Sequence, residues 1–335
     1  MTIRSTVRHR LPVVATALAL ASVVLAGCGG QTTEASTASV TGAAGQQLNL
    51  TSKQERIIPA KDEAAAALLP PAIRDRGTLR VAHGSGAGNA PFYFPATDDE
   101  RVFIGNESDI SLLIAGALGL KLEESNSSWE GLFLGIDSGQ VDLGVSNITV
   151  TEARKQKYDF ATYRKDDIAV EVQESSTFTF TGGDSFSGKT VAVGSGTNQE
   201  RILQRFDADL RAAGKPGITI KYYQDNTGTY AALSAGQIDA YFGPNPIAAF
   251  HVAQTKGTPN ATKIVGTVSG AGSTLQGLIG ATTRKDSGLI RAVQAAIEST
   301  IRSGDYAKVL TRWGLEAEAV PTSEINPPGL PITDK

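Results

Sequence analysis

The residues best suited to hold a charged solute stand between positions 146 and 154. There Ser146-Asn147-Ile148-Thr149-Val150-Thr151-Glu152-Ala153-Arg154 follows an apolar run that ends at Val145. A strand that ends in hydroxyl and amide groups, with an arginine one further turn along, sets a guanidinium fork beside hydroxyls and open backbone N–H groups. Such a set can take a carboxylate bidentately. The same spacing also suits an arginine that caps its own helix at the surface, and the residue types leave both readings open.

Other chemistry finds few parts. Gly183-Asp184-Ser185-Phe186-Ser187-Gly188-Lys189-Thr190 spells a phosphate-loop pattern, yet a phosphate loop must open a helix whose first N–H groups meet the phosphates. Thr190-Val191-Ala192-Val193 reads instead as a strand followed by a Gly-Ser-Gly turn. Gly84, Gly86 and Gly88 lack the third glycine at dinucleotide spacing, since position 89 is Asn. Cys28 is the single cysteine, and beyond residue 28 only His83 and His251 remain. Zinc, iron–sulfur and cysteine-nucleophile readings close, and a histidine metal site or triad has too few members. No metal or cofactor is expected. Acid–base catalysis needs a positioned proton donor or acceptor, for which Glu107 and Asp225 are the candidates.

The elements that must position the 146–154 stretch alternate along the chain. Short β-branched runs at Leu79 to Ala82 and Asp142 to Val145 bracket helical spacings of Ile110, Leu113, Ile114 and Ala117, then Leu132, Phe133 and Ile136. A second round follows, with strands at Thr190 to Val193, Ile218 to Tyr222 and Ile238 to Phe242 and a helix through Ile202, Leu203, Phe206 and Leu210. Period 2 alternating with period 3.6 indicates an α/β sheet with covering helices. Two echoes show one plan run twice: Val81-Ala82-His83-Gly84-Ser85-Gly86 against Val193-Gly194-Ser195-Gly196, and Gly139-Gln140-Val141-Asp142 against Gly236-Gln237-Ile238-Asp239. Two such lobes would set their strand ends face to face across a cleft, where open sheets bind ligands. The tail, with Ile290, Val293, Ile297 and Ile301 before Gly304 and Tyr306, Val309, Leu310 and Trp313 after it, has the spacing of core-facing helices.

At the start of the chain, Arg4, Arg8 and Arg10 precede the apolar run Leu11 to Leu25 and Ala26-Gly27-Cys28, the three-part build of an export signal. The run is short of the roughly 20 residues that a bilayer-spanning helix needs. Residues 29 to about 56, rich in Gly, Ala, Ser, Thr and Gln, read as a solvated tether. Removing the three arginines takes the formal charge from −3 to −6, with no basic block, so nucleic acid is not expected as a partner.

Leu25-Ala26-Gly27-Cys28 resembles a bacterial lipobox, which implies lipid on Cys28 and an extracytoplasmic protein anchored to the cell membrane. From Gly77 to about Leu315 the chain resembles the polar amino-acid family of ABC-importer solute-binding proteins. The residues that carry the resemblance include Gly77-Thr78-Leu79-Arg80-Val81, Ala90-Pro91-Phe92, Trp129 with Leu132, Gly139 and Asp142, Thr149-Val150-Thr151-Glu152-Ala153-Arg154 with Phe160, and Gly188-Lys189-Thr190-Val191. Gly196-Thr197, Gly236 with Asp239-Ala240, and Gly304 with Tyr306 and Trp313-Gly314 continue it.

The resemblance implies a periplasmic-binding-protein type II-like α/β fold, two lobes joined by two hinge strands with a ligand cleft between. The expected division is 1–28 signal, 29–72 tether and extension, 73–171 lobe one, 172–280 lobe two, and 281–335 returning to lobe one. Hinge strands are expected near Ile168 to Val172 and Leu278 to Thr282. It implies that Arg154, helped by Thr149, clamps a ligand carboxylate, and that Thr197 and Asn198 add donors from lobe two. Trp129 would line the cleft or else fill the core, Ser146 and Asn147 would meet the ligand at a strand end, and Asn89 stands where an aromatic is often found, with Phe92 nearby. Where the family often has an ammonium-binding aspartate this chain has Pro244. Asn245 or Asp225 would have to substitute, which leaves open an amino-acid derivative, a betaine-like compound or a carboxylate without a primary ammonium. The implied partners are a small polar ligand with a carboxylate and a membrane permease pair, and the protein is expected to be a monomer. A dehydratase-like enzyme and a ligand-sensing partner of a membrane receptor are the alternatives.

Overall fold

The computed structural model describes residues 39–41, 47–84 and 89–332. The export-signal and lipobox readings, with Cys28, lie outside the described residues. Among those described, no helix is long and apolar enough to cross a membrane.

The chain enters through a short antiparallel pair, β1 (Ser39–Thr41) and β2 (Gln47–Asn49). Leu48 and Leu50 are buried in the same core as Leu69, so this extension belongs to the folded body. After α1 (Glu63–Ala67) and α2 (Pro71–Arg76) come β3 (Thr78–Gly84), β4 (Phe94–Pro95), β5 (Phe103–Ile104), α3 (Asn106–Ala117), β6 (Lys121–Ser127), α4 (Trp129–Ser138) and β7 (Leu143–Gly144). The next strand, β8 (Tyr158–Gln173), is the longest element among the described residues. Beyond it run β9 (Thr190–Gly194), α5 (Asn198–Ala212), β10 (Thr219–Tyr223), α6 (Asn226–Ser234), β11 (Ala240–Pro244), α7 (Asn245–Thr255) and β12 (Thr262–Ser269). The chain then returns through β13 (Gly277–Arg284), α8 (Ile290–Ser303) and α9 (Asp305–Trp313).

Pairing follows the order β10-β9-β11-β8-β13-β7-β3-β6, with β12 also on β8. The architecture is therefore two α/β lobes sharing β8. One core gathers Leu79, Val81, Leu113, Ile114, Tyr163, Val293, Val309 and Trp313; the other gathers Val170, Val191, Leu203 and Phe242 around Phe186. Along β8, residues up to Asp166 pair with β13 and residues from Asp167 onward pair with β12. The crossing between lobes thus falls at Asp166 and Asp167 and in the return between Ser269 and Gly277. This corrects the expected hinge positions, because Ile168 to Val172 are pinned in lobe two by β11 and β12 and Leu278 to Thr282 in lobe one by β8.

The Gly-Gln-aliphatic-Asp echo has one structural cause. α4 ends at left-handed Gly139 (φ 73°), and the Asp142 carboxylate then accepts the Arg80 N–H of β3 at 2.9 Å. In lobe two, Gly236 (φ 67°) follows α6, and the Asp239 carboxylate accepts the Thr190 N–H of β9 at 2.8 Å. Each glycine provides the left-handed stop and each aspartate fixes the start of the neighbouring strand. The phosphate-loop pattern opens no helix: Gly183–Phe186 is a single 3-10 turn that leads into β9.

Candidate functional site

In lobe one the strand ends are locked from behind. The Gly84 N–H donates to Ser146 Oγ at 2.8 Å, joining the end of β3 to the turn after β7. Asn147 adopts a left-handed φ of 49° and accepts a hydrogen bond from Arg164 through its side-chain oxygen. Arg164 is fully buried on β8, where it pairs with Glu107 at 3.2 Å and with Glu318, while Tyr163 donates its hydroxyl to Glu107. The flat guanidinium also lies 4.7 Å from the Phe92 ring centroid, a cation–π contact. Burial pushes the Glu318 carboxyl up to about 7 against the lowering pull of Arg164.

Thr149 is fully buried and donates its hydroxyl to Asp166 Oδ2 at 2.7 Å. Asn198, the first residue of α5 in lobe two, donates its amide to the same oxygen at 3.0 Å and to the Gly270 carbonyl at 2.9 Å. Asp166 therefore joins both lobes at the point where β8 changes partner. Burial raises its carboxyl above the ordinary range, opposed by these donors and by Arg164.

Arg154 donates from Nη1 to the Thr149 carbonyl at 2.9 Å and from Nη2 to the Gly196 carbonyl at 3.3 Å. Its guanidinium carbon lies 5.2 Å from the Trp129 ring and 5.6 Å from Phe133. Burial lowers its pKa to about 10, partly offset by Asp166, so it stays charged at neutral pH. Ser128 caps α4 and sets Trp129 at its first position. From there the indole N–H also donates to the Gly196 carbonyl, at 3.3 Å. Two donors from lobe one thus meet one carbonyl of lobe two.

In lobe two, Thr197 caps α5 by accepting the Glu200 N–H at 3.1 Å while donating to the Gly194 carbonyl at 2.8 Å. Asp225 caps α6, accepting the Gly228 N–H at 2.7 Å. Tyr241 donates to the Asn226 side chain at 2.8 Å.

Between these walls lies a cleft of about 990 Å³, open solvent at its mouth included. Of the residues expected there, Asn89, Phe92, Trp129, Ser146, Asn147, Thr197, Asn198 and Asp225 line it. Three are not among the lining residues. Arg154 lies against the Trp129 ring and donates to the Thr149 and Gly196 carbonyls, Thr149 is turned onto Asp166, and Asn245 borders a separate cavity with Pro91, Phe250, Trp313 and Glu318. For Asn245 the cause is that α7 begins there, directly after Pro244. Sequence reasoning missed Tyr223, Gln224, Asn226, Thr229 and Tyr241, which line the lobe-two wall. Their signal was present: Tyr222-Tyr223-Gln224-Asp225 is a strand end followed by a capping residue, the pattern already recognised at Gly194 to Thr197.

Residues 81–316 match the bacterial extracellular solute-binding proteins, family 3. The chain belongs to this family. The arginine-binding protein ArgT of Corynebacterium glutamicum is 27% identical over 81% of this chain and 86% of that protein. The L-cystine-binding protein TcyJ of Escherichia coli K12 is 28% identical over 72% of this chain and 84% of that protein. Among solved structures, an ancestral arginine-binding protein bound to arginine superposes with a TM-score of 0.61 at 27% identity, covering 71% of this chain and 98% of that one. The fold of this family 3 member is the type II periplasmic-binding-protein arrangement, in which the cleft lies between the lobes.

Proposed function

We propose that this family 3 protein is the substrate-binding component of an ABC importer, capturing a small polar, amino-acid-like solute outside the membrane by hinge closure and handing it to a permease. The observation that carries this reading is the cleft walled by both lobes, with Trp129 from its lining and Arg154 from outside it both donating to the Gly196 carbonyl of the other lobe. Closure of this kind is the hinge motion of ligand clamps. Trp129 and Phe92 supply apolar faces, Ser146, Asn147 and Thr197 supply polar contacts, and Arg154 acts on closure through Gly196. Pro244 occupies the wall where a carboxylate would hold an ammonium, so that group has to be met elsewhere. The arginine- and cystine-binding relatives support an amino-acid-like ligand. A micromolar ligand needs about 8 kcal/mol, within reach of a stacked face, several hydrogen bonds and expelled water.

The remaining parts of the reading rest on residues rather than geometry. Leu25-Ala26-Gly27-Cys28 supports lipid attachment at Cys28 after removal of the export signal, leaving the protein tethered at the cell membrane.

A thermal-shift screen against amino acids, their N-methylated and decarboxylated relatives and small carboxylates tests the capture function. A ligand that binds only the folded state must raise the melting temperature. A shift of several degrees from one solute class, reduced in Arg154→Ala, is expected; no shift from any amino-acid-sized solute would sink the reading.

A further inference from the structure

β8 and the return between β12 and β13 carry the chain from lobe to lobe, and the C-terminal tail meets the same boundary a third time. Beyond residue 316, where the family match ends, the tail runs along lobe one. Glu318 pairs with Arg164, the Thr162 N–H donates to the Glu324 carbonyl at 3.0 Å, and the Asn326 N–H donates to the Phe160 carbonyl at 3.1 Å. Leu330 then joins the segment that precedes Arg154: its N–H donates to the Val150 carbonyl at 3.2 Å and its carbonyl accepts the Glu152 N–H at 3.0 Å. The Leu330 side chain, however, is fully buried in the lobe-two core, together with Ala271. A Cβ added to Gly272, in the return between the lobes, would lie 3.9 Å from Leu330 Cδ1. The next two carbonyls, of Pro331 and Ile332, accept from Arg201 Nη2 of α5 at 2.9 and 3.2 Å.

One residue thus has its backbone in lobe one and its side chain in lobe two. Rotating lobe two about the crossings at Asp166–Asp167 and at 269–277 must draw Leu330 out of the lobe-two core or break its backbone bonds to Val150 and Glu152. Returning a buried leucine side chain to water is unfavourable, and so is stripping backbone groups of their partners. Either cost falls on the open arrangement alone. We propose that residues 330–332 are a latch that holds the lobes in the arrangement seen here, with Trp129 and Arg154 on the Gly196 carbonyl, and that opening the cleft requires its release. The latch acts apart from solute contacts, since none of its residues lines the cleft. It rests on the hinge-closure part of the solute-capture reading.

Interlobe distances in the solute-free full chain test the proposal, read by pulsed dipolar spin resonance in non-ionic detergent. Labels at Gln140→Cys and Ala208→Cys, exposed positions of lobe one and lobe two, report the separation in a Cys28→Ser background. Leu330→Ala should move half or more of the distance distribution to longer values, and Arg201→Gln should move it the same way by less. Leu330→Met, which keeps the apolar volume, should leave the parental distribution in place. Unchanged distances in Leu330→Ala, even with a lower melting temperature, reduce Leu330 to core packing and overturn the proposal. Should that variant fail to fold, Arg201→Gln decides, and unchanged distances there overturn the latch. A solute that raises the parent's melting temperature while the variants keep their distances leaves capture standing and the latch fallen. Longer distances in a protein that binds no amino-acid-sized solute leave the latch standing and capture fallen.

Discussion

The two walls of the cleft are built on opposite plans. In lobe one, Ser146, Asn147 and Thr149 each hold a partner within the fold, and behind them Arg164, Glu107 and Glu318 form a buried ion cluster. In lobe two, Gln224 and Asp225 are exposed at the join of β10 and α6, and Tyr223 beside them is half-buried. Both walls hold partners within the fold, since Thr197, Asn198, Asp225 and Asn226 are also hydrogen-bonded; the difference is that lobe one backs its polar groups with a buried ion cluster whereas Gln224 and Asp225 stand at an exposed helix start. The difference teaches that a substitution behind the lobe-one wall should cost fold stability, whereas one at the exposed lobe-two positions should leave the fold nearly untouched.

The strongest way to break this contrast is to remove the support of the rigid wall. Arg164→Ala would leave Glu107 and Glu318 buried without their counter-charge, and losing one partner of a buried pair typically costs about 3–5 kcal/mol. Gln224→Ala, at an exposed position, should stay within about 0.5 kcal/mol. Urea denaturation of both variants measures the gap, and equal costs would show that the lobe-one wall is no more built into the fold than the other.

A second test uses pH. Glu318 has its folded value raised from 4.5 to about 7, so between those values the native state holds a proton that the unfolded chain has released. Its contribution is fully present below about pH 4.5 and is lost as pH rises through about 7, a span worth about 3 kcal/mol. Glu318→Gln removes the titrating group, so the stability difference between pH 5 and pH 8 should shrink by an amount of that order. Parallel pH dependence in variant and parent would remove Glu318 from the account.

How much of this was legible beforehand follows from what kind of signal each feature leaves. The two lobes could be read because strand and helix periods are local and repeat in order, and the Gly139–Asp142 and Gly236–Asp239 echoes proved to be one capping device used twice. Trp129 was placed at the cleft by the family resemblance, with the core as the alternative, and it lines the cleft. The destinations of Thr149 and Arg154 could not be read, since they depend on Asp166, 17 residues beyond Thr149, and on Gly196, 42 residues beyond Arg154. The Arg164 cluster was invisible for the same reason: its partners Glu107 and Glu318 come from α3 and from the chain beyond α9, and an Arg in a strand announces nothing about burial. The tether reading of residues 29 to about 56 missed Leu48 and Leu50, whose packing against lobe one leaves no mark in a Gly- and Ser-rich stretch.

A sharper test targets the join between the walls. Asp166→Asn keeps shape and can set its amide oxygen where Oδ2 accepts from Thr149 and Asn198, but it turns two charge-assisted hydrogen bonds into neutral ones. Closure should lose about 1–2 kcal/mol, the difference between hydrogen bonds to charged and to neutral groups, read as roughly tenfold weaker ligand binding with the melting temperature of the free protein little changed. A large drop in that melting temperature would instead make Asp166 part of the rigid wall alone.

The smallest expected effect separates backbone strain from function in the cleft. Gly196 sits at φ 73°, and an added Cβ would lie 3.5 Å from Trp129 Nε1, an ordinary contact. Gly196→Ala therefore introduces left-handed strain of about 1 kcal/mol at the carbonyl that receives both crossing donors. Gly77, at φ 71°, has open space around its Cβ position and lies away from the cleft, so Gly77→Ala carries the same strain without touching closure. Both variants should melt a few degrees lower, while only Gly196→Ala should also bind ligand a few-fold more weakly. Equal affinities in the two would mean that the Gly196 contacts do not contribute to closure, and the contrast between the walls would then lose the contact that brings them together.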